Sequence, residues 1–561
     1  MTTRTTGKNR LFCRAGNRFV QTTLLLFLLL SFLSLQAASA VAASAGSQEY
    51  RNDRKALDDL QQDCFAYMWE GCEPNSGMAY EGSFDFGVRP VAVGGTGFGI
   101  AAIVVATDRN WISREQAVAR LMKIGLFLRD KTPRMSLHGA FPHWLDGDTG
   151  NALPFGHKDA GADIVETSLL MQGLLIARAY FHGPGLEEEL RAVITELWEE
   201  VEWNWFTNGE ESGLYWHWDP DQGFHHGLKI LGYNECLITY ILAASSPRHP
   251  ISRQSYDFWS SGLAYLPRDV FGYEVEASPT GGGPLFLAHY SFIGLDPRKM
   301  ADRSVKQGYF VRGVKQTLGN RGYCLYEAPP ENQYADNFWG LTASTTKAGY
   351  AASDPLNDTG TVAPTASLSS MPYTPYYSLQ VLRNLAGKMK SRVWGDYGPY
   401  DALSLRDAWV SDGYLAIDQL PMVCMVENYR SGLLWDLLMS DGDIQRGLSR
   451  AAISPPLFPA GFPEAVVALR REEGCLVADA YDICRHPDSG KYEIPYFVNA
   501  AGPTSFRFLN VDVIEIFHIK ADAANGRNTL SFAQFAPRDN DIVTIVMKTG
   551  EDEYRLPVRL H

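Results

Sequence analysis

The chain has 561 residues, with 64 acidic and 50 basic side chains and a formal net charge of −14. That balance argues against nucleic acid or anionic membranes as partners, because phosphate-rich surfaces select cationic proteins. The eight cysteines are dispersed and no CxxC pair or HExxH occurs, so neither a disulfide framework nor a zinc site is expected.

In chain order, Arg4, Lys8, Arg10, Arg14 and Arg18 precede the apolar run 23–30, and Ala38-Ser39-Ala40 follows. This pattern predicts a signal peptide over 1–40 and a periplasmic or secreted protein. Its removal takes away five basic and no acidic residues, moving the net charge from −14 to −19. No later stretch offers about 20 uninterrupted apolar residues, so no stable membrane anchor is expected after cleavage. Cys64/Cys72 and Cys475/Cys484 are spaced to permit pairing, and the sequence leaves that open.

From 49 to 470 the chain reads as mainly α. Small-residue, nearly all-apolar helices are predicted to begin near Val93, Ala162, Glu235, Pro284, Asp336, Thr365 and Pro421. Charged amphipathic helices at Arg114–Arg129, Leu186–Glu202 and Arg303–Leu318 lie between several of them. Buried and solvent-facing helices in alternation imply helical hairpins closed into a ring, with an open α-solenoid as the alternative. Two long loops should gather at one end. One runs from Pro133 to Lys158 and carries His143 and Trp144; the other, Thr207 to Gly232, carries Trp216 and Trp218. Over 471–561 the pattern changes to short alternating segments, at Ser505–Leu509, Val511–Ile519, Leu530–Ala536, Asp541–Lys548 and Glu553–Leu560. They predict a small C-terminal β-sandwich, read as a packing appendage rather than an independent carbohydrate-binding module.

Three acids, Asp159, Asp163 and Glu166, stand at i, i+4 and i+7, which would put them on one face of a helix. The ordinary alternative is an exposed acidic first turn favoured by the helix dipole. Glu235 opens another buried helix, and Asp418 precedes Pro421, a residue suited to the first helical turn. Glu427, nine residues on, would be structural if paired with Arg430. Aromatics sit beside polar residues in loops, as in Trp203-Asn204-Trp205, Tyr215–Asp219 and Asn337-Phe338-Trp339-Gly340, and such rings suit stacking on sugars. Carboxylates converging on an aromatic cleft are what glycoside hydrolysis needs, one protonated and one ionised. No GxSxG motif supports a serine hydrolase. Gly94–Gly99 is glycine-rich without a preceding strand, so close helix approach or substrate backbone contact explains it better than a nucleotide fingerprint.

Several motifs in order carry a resemblance: Phe84-Asp85-Phe86-Gly87, Val93 to Gly99, Asp159 to Thr167, Gly232 to Glu235, Tyr397 to Ala402, and Ala416 to Gln419 through Glu427 to Arg430. Over about 55–455 the chain resembles the glycoamylase-like domain family, which includes the bacterial endo-β-1,2-glucanases of glycoside hydrolase family 144. The resemblance implies an (α/α)6 toroid and inverting hydrolysis of β-1,2-glucan with neither metal nor organic cofactor. It also implies a poly- or oligosaccharide substrate, and a monomer is expected. By this resemblance Glu235 is assigned as proton donor and Asp418, with Asp401 as second choice, as the base acting through water. Asp159, Asp163 and Glu166 would orient substrate hydroxyls or water. Trp216, Trp218, His143, Trp144, Asn337, Trp339 and Tyr397 are the candidate sugar contacts. The competing readings are a retaining transglycosylase on the same polymer, a polysaccharide lyase and a non-catalytic glucan-binding protein.

Overall fold

The structure is a computed structural model that describes residues 52–84, 87–154, 161–262, 265–456 and, between 469 and 560, the strand segments. The chain divides into two units, Met1–Lys55 and Ala56–His561, and the candidate site lies within the second. Asp85, Phe86, Asp159, Cys484 and the predicted signal peptide lie outside the described residues.

The helices are α1 (52–69), α2 (Val93–Asp108), α3 (Arg114–Asp130), α4 (Ile164–Tyr180), α5 (Leu186–Glu199), α6 (Leu237–Ser245) and α7 (Arg253–Trp259). After them come α8 (Tyr309–Tyr326), α9 (Pro364–Leu368), α10 (Pro375–Ala386), α11 (Lys390–Val393), α12 (Ala416–Arg430), α13 (Leu433–Ser440) and α14 (Gly442–Arg450). The two predicted kinds of helix are both present. In α2 every residue from Val93 to Thr107 is buried, as its run of Gly, Ala and Val requires. In α5 only Leu190, Val193, Ile194, Leu197 and Trp198 are buried, a stripe at three-to-four spacing. Ser113 and Gln116 close a reciprocal capping box that fixes the start of α3.

Helix α2 packs against α4 and α12, α4 against α6, and α9 against α12. Between α6 and α9 the segment 285–292 fills the gap. Tyr290–Phe292 touches α6, while His289 Nε2 meets Ser370 Oγ at 2.8 Å and Tyr373 donates to the Ala288 carbonyl at 2.8 Å. On the outside α3 packs against α5, and α14 packs against α6. The glycines of α2 serve close helix approach: a Cβ on Gly97 would overlap the Leu169 carbonyl, and one on Gly173 would overlap the carbonyl of Gly97.

Several expectations are corrected. At Pro284 there is no α-helix but short 3-10 turns, Leu285–Ala288 and Tyr290–Phe292, after a Gly281–Gly283 run in which all three residues have positive φ. Near Asp336 the chain instead makes a turn closed by the Ala335–Phe338 bridge. The amphipathic helix expected from Arg303 starts only at Tyr309, after Gly308 at φ 94°. Helix α12 begins at Ala416, so Pro421 lies inside it and Asp418 is in its first turn. The pairing of Cys64 with Cys72, which the sequence leaves open, is not formed, and both are free thiols.

In the C-terminal segment the predicted strands appear with shifted ends. A five-stranded sheet runs in the order Tyr481–Ile483, Asp552–Leu560, Ile542–Thr549, Gly502–Leu509, Glu515–Ala523. Its first pair is parallel and the others antiparallel. Tyr492–Val498 pairs separately with Gly526–Phe532.

Candidate active site

The loop-to-helix junction at Asp163 organises one side of the site. Ala162–Asp163 pairs antiparallel with His217–Trp218, so the backbone at Asp163 is extended and the helix starts one residue later. Asp163 is therefore the N-cap of α4, not part of its face, and the three-acid helical stripe is corrected on this ground. Its Oδ1 accepts from the backbone N–H groups of Val165 and Glu166, at 2.9 and 3.0 Å. Its Oδ2 faces His143 Nδ1 at 3.1 Å, Trp216 Nε1 at 3.1 Å and His217 Nε2 at 3.6 Å. Burial opposes the charge of Asp163, but the hydrogen bonds and charges of both histidines hold its carboxyl well below the ordinary range.

Glu166, in the first turn of α4, accepts the Gly94 N–H at 2.7 Å and lies 4.0 Å from His143 Nε2. A Cβ at Gly94 would stand 2.5 Å from that carboxylate, so glycine is what admits it. Burial pushes Glu166 up to about 7; His143 opposes the shift and Asp163 and Glu81 add to it. His143 is held at about 10: burial disfavours its charge, yet Glu166, Asp163 and Glu81 together outweigh that. At neutral pH the imidazolium therefore donates to Asp163. Glu81 joins this group, accepting from Trp144 Nε1 at 2.9 Å, with its carboxyl raised by burial.

The opposite side is an acid pair. Asp401 is buried, and its Oδ2 accepts from the Thr345 N–H at 2.7 Å and the Thr345 hydroxyl at 2.5 Å. Asp418 is 1% exposed, and no N–H or O–H of the described residues is directed at either of its carboxylate oxygens. Burial and the neighbouring Asp401 charge push Asp418 well above the usual carboxylate range, and Asp401 is itself raised by burial. Gln419 explains how the pair is assembled. Its Nε2 donates to the carbonyls of Tyr397 and Pro399, holding the loop that carries Asp401 against α12.

Glu235 sits in the turn before α6, and Ser291 Oγ donates to its carbonyl at 2.5 Å. Its carboxyl is raised by burial and by the charge of Asp163. One tyrosine links the groups. Tyr290 Oη is buried with no hydrogen-bond partner among the described residues. Its ionisation is raised by burial and by Asp418, Tyr350, Glu235 and Glu166, so all three acids lie within electrostatic reach of one hydroxyl. The structure thus brings Glu166, Glu235 and Asp418 together from three different helices or their leading turns.

The aromatic candidates divide. Trp216 touches Asp163, and Tyr397 packs edge-on to Tyr67 and Tyr414 at 5.5 and 5.4 Å. Trp144 is buried and serves Glu81 rather than offering a ring face. Trp218 points away from Asp163 and packs with His138 and Trp205. Trp339 is fully buried, a core residue and not a sugar platform. Asn337 lies in the 335–338 turn, its carbonyl accepting from Asn384 at 3.1 Å. Sequence reasoning missed Glu81, His217, Tyr290 and Thr345. Two of them stood near a recognised signal: Glu81 lies three residues before the Phe84 motif, and His217 lies within the aromatic loop Tyr215–Asp219.

The raised Glu166 gives a pH signature. A carboxyl whose folded pKa is about 7 stabilises the fold fully below its unfolded value, near 4.5, and that contribution is lost as pH rises through 7. Between pH 4.5 and 7.5 the Glu166→Gln chain should therefore gain on the wild type by on the order of 2 kcal/mol. Urea denaturation of both at the two pH values checks this; a constant difference contradicts it.

Comparisons with known proteins agree on one family. The glycoamylase family model, described as a glucoamylase model, matches residues 227–442. The exo β-1,2-glucooligosaccharide sophorohydrolase (non-reducing end) of Parabacteroides distasonis is 41% identical over 425 residues, which is 71% of this chain. The chain spans 58% of that relative's length. The endo-β-1,2-glucanase of Chitinophaga pinensis, solved with sophorotriose and glucose, is 44% identical with a TM-score of 0.68. That match covers 72% of this chain and 99% of the other. A β-1,2-glucanase structure from Parabacteroides distasonis is 40% identical with a TM-score of 0.68, covering 71% of this chain and 60% of that one.

Proposed function

This chain belongs to the glycoamylase family, and from that premise we propose that it is an exported glycoside hydrolase of β-1,2-glucan working by acid–base inversion. The observation that carries the proposal is that Glu235 and Asp418, from different helices or their leading turns, both lie within electrostatic reach of the buried Tyr290 hydroxyl. Glu235, whose carboxyl is raised by burial and by the Asp163 charge in the direction that favours its acid form, is the proton donor to the leaving oxygen. Burial raises both Asp401 and Asp418, repulsion from Asp401 raises Asp418 further, and this pair takes the proton of the attacking water. The His143–Asp163–Glu166–Glu81 group holds substrate hydroxyls beside them. The cleavage step needs only these side chains. The relatives named for cleaving β-1,2-linked glucose support the substrate.

The cyclic pairing of α2, α4, α6, segment 285–292, α9 and α12 supports reading the helical region as an (α/α)6 toroid. On the same reading the C-terminal strands form a β-sandwich appendage, residues 1–40 direct export, and the mature protein is a monomer. The test is incubation with linear and cyclic β-1,2-glucans, laminarin and starch, followed by product sizing. Hydrolysis confined to β-1,2-glucans is expected, a ladder of products marking endo action and disaccharide alone marking exo action. Cleavage of starch or laminarin in preference would refute the substrate assignment, and unsaturated products absorbing in the ultraviolet would indicate a lyase.

A further inference from the structure

The hairpin Ala343–Thr346/Gly349–Ala352 carries nothing that the sequence marks as functional, yet it is tied to the acid pair. Thr345 grips Asp401 through both its N–H and its hydroxyl, and its Oγ1 also meets Ser411 Oγ at 3.2 Å. Tyr350 lies directly across the ladder from Thr345, and directly opposed residues of an antiparallel pair project from the same face. The hairpin face that holds Asp401 is thus the face that presents Tyr350. The tip is braced, with the Thr346 hydroxyl donating to the Gly349 carbonyl at 2.7 Å and accepting from the Ala348 N–H at 3.1 Å.

Tyr350 is 59% exposed, unusually open for a large aromatic. Its hydroxyl end is nonetheless within electrostatic reach of Asp418, Glu81, Asp401 and Glu235. A tyrosine that merely packed would be covered, and an incidental surface tyrosine would not face four carboxyl groups. We propose that Tyr350 is a sugar-stacking residue at the point of cleavage, its ring face set by the same hairpin that fixes the acid pair. This rests on the hydrolase reading above. A glucose ring offers its C–H face to the tyrosine while its hydroxyls meet the acids below.

The experiment compares wild type, Tyr350→Ala and Tyr350→Phe across a panel of glucooligosaccharides, with kcat and KM read separately and melting temperatures taken as a folding control. Tyr350→Ala should raise KM about 10-fold, with kcat falling less than KM rises. Tyr350→Phe should stay within about 3-fold of wild type, because the ring and not the hydroxyl stacks. Both should melt near the wild-type temperature, since an exposed ring contributes little to the fold. A wild-type KM in Tyr350→Ala overturns the proposal, as does a Tyr350→Phe chain damaged as badly as the alanine variant. If the wild type prefers another glucan, the substrate reading fails while Tyr350 is still judged on that glucan. A chain that neither binds nor cleaves any glucan overturns both.

Discussion

A Glu235→Gln chain should hydrolyse β-1,2-glucan about 10³-fold more slowly than the wild type while still binding it. The amide preserves shape and leaves the carbonyl that accepts from Ser291 untouched, but it has no proton to give. General acid–base groups typically contribute 10²- to 10⁴-fold. Asp418→Asn should be comparably impaired for a different reason. It removes one member of a carboxyl pair, so the remaining Asp401 keeps its Thr345 hydrogen bonds but loses its neighbouring acid. The two variants should also differ in pH response, because loss of the acid removes the alkaline limb of the profile and loss of the pair removes the acid limb. Steady-state rates over pH 4–9, with calorimetric titration of oligosaccharide to establish binding, measure all of this. Retention of more than a tenth of wild-type turnover by Glu235→Gln would remove the proton-donor assignment.

The largest expected effect on stability lies at the far end of α12. Glu427 is fully buried and pairs in fork geometry with Arg109, at 2.8 and 2.9 Å, while accepting from Ser431 at 2.6 Å and Gln61 at 3.3 Å. One carboxylate therefore joins α1, the end of α2, α12 and the turn into α13. Arg430, its expected partner, instead reaches Asp58 at 2.7 Å and Gln61 at 2.7 Å. Breaking a buried pair leaves the other charge uncompensated, so Glu427→Ala should cost about 3–5 kcal/mol in guanidinium denaturation. Nine residues of helix, roughly 13 Å, separate Glu427 from Asp418, so activity per folded molecule should change little. A loss below about 1 kcal/mol would show that the pair does not hold these helices together.

Much of the helical region was legible because its cause is local. The small-residue run of α2 has no polar face to expose, and the three-to-four stripe of α5 has no second apolar face to bury. Helix ends were less legible where distant segments decide them. Asp163 reads as a helical residue until His217–Trp218 pairs with it and extends its backbone, turning an expected face residue into a cap. The segment after Pro284 has an apolar helical composition, but the glycines before it and its contacts with Ser370 and α6 set short turns instead. At the site the acids could be picked out, but the pairing of Asp401 with Asp418 could not. It depends on Gln419 drawing a loop onto α12 from some 20 residues away. Polar neighbours likewise misplaced Trp339, since loop composition does not reveal that the chain folds this ring into the core.

The most direct measurement is proton NMR of the first sugar released from linear β-1,2-glucan, followed before mutarotation. Inversion by Glu235 and the Asp401–Asp418 pair predicts that the α-anomer appears first and relaxes to the equilibrium mixture. First appearance of the β-anomer would mean that a carboxylate attacks carbon directly, and the water-activating role of the acid pair would be wrong.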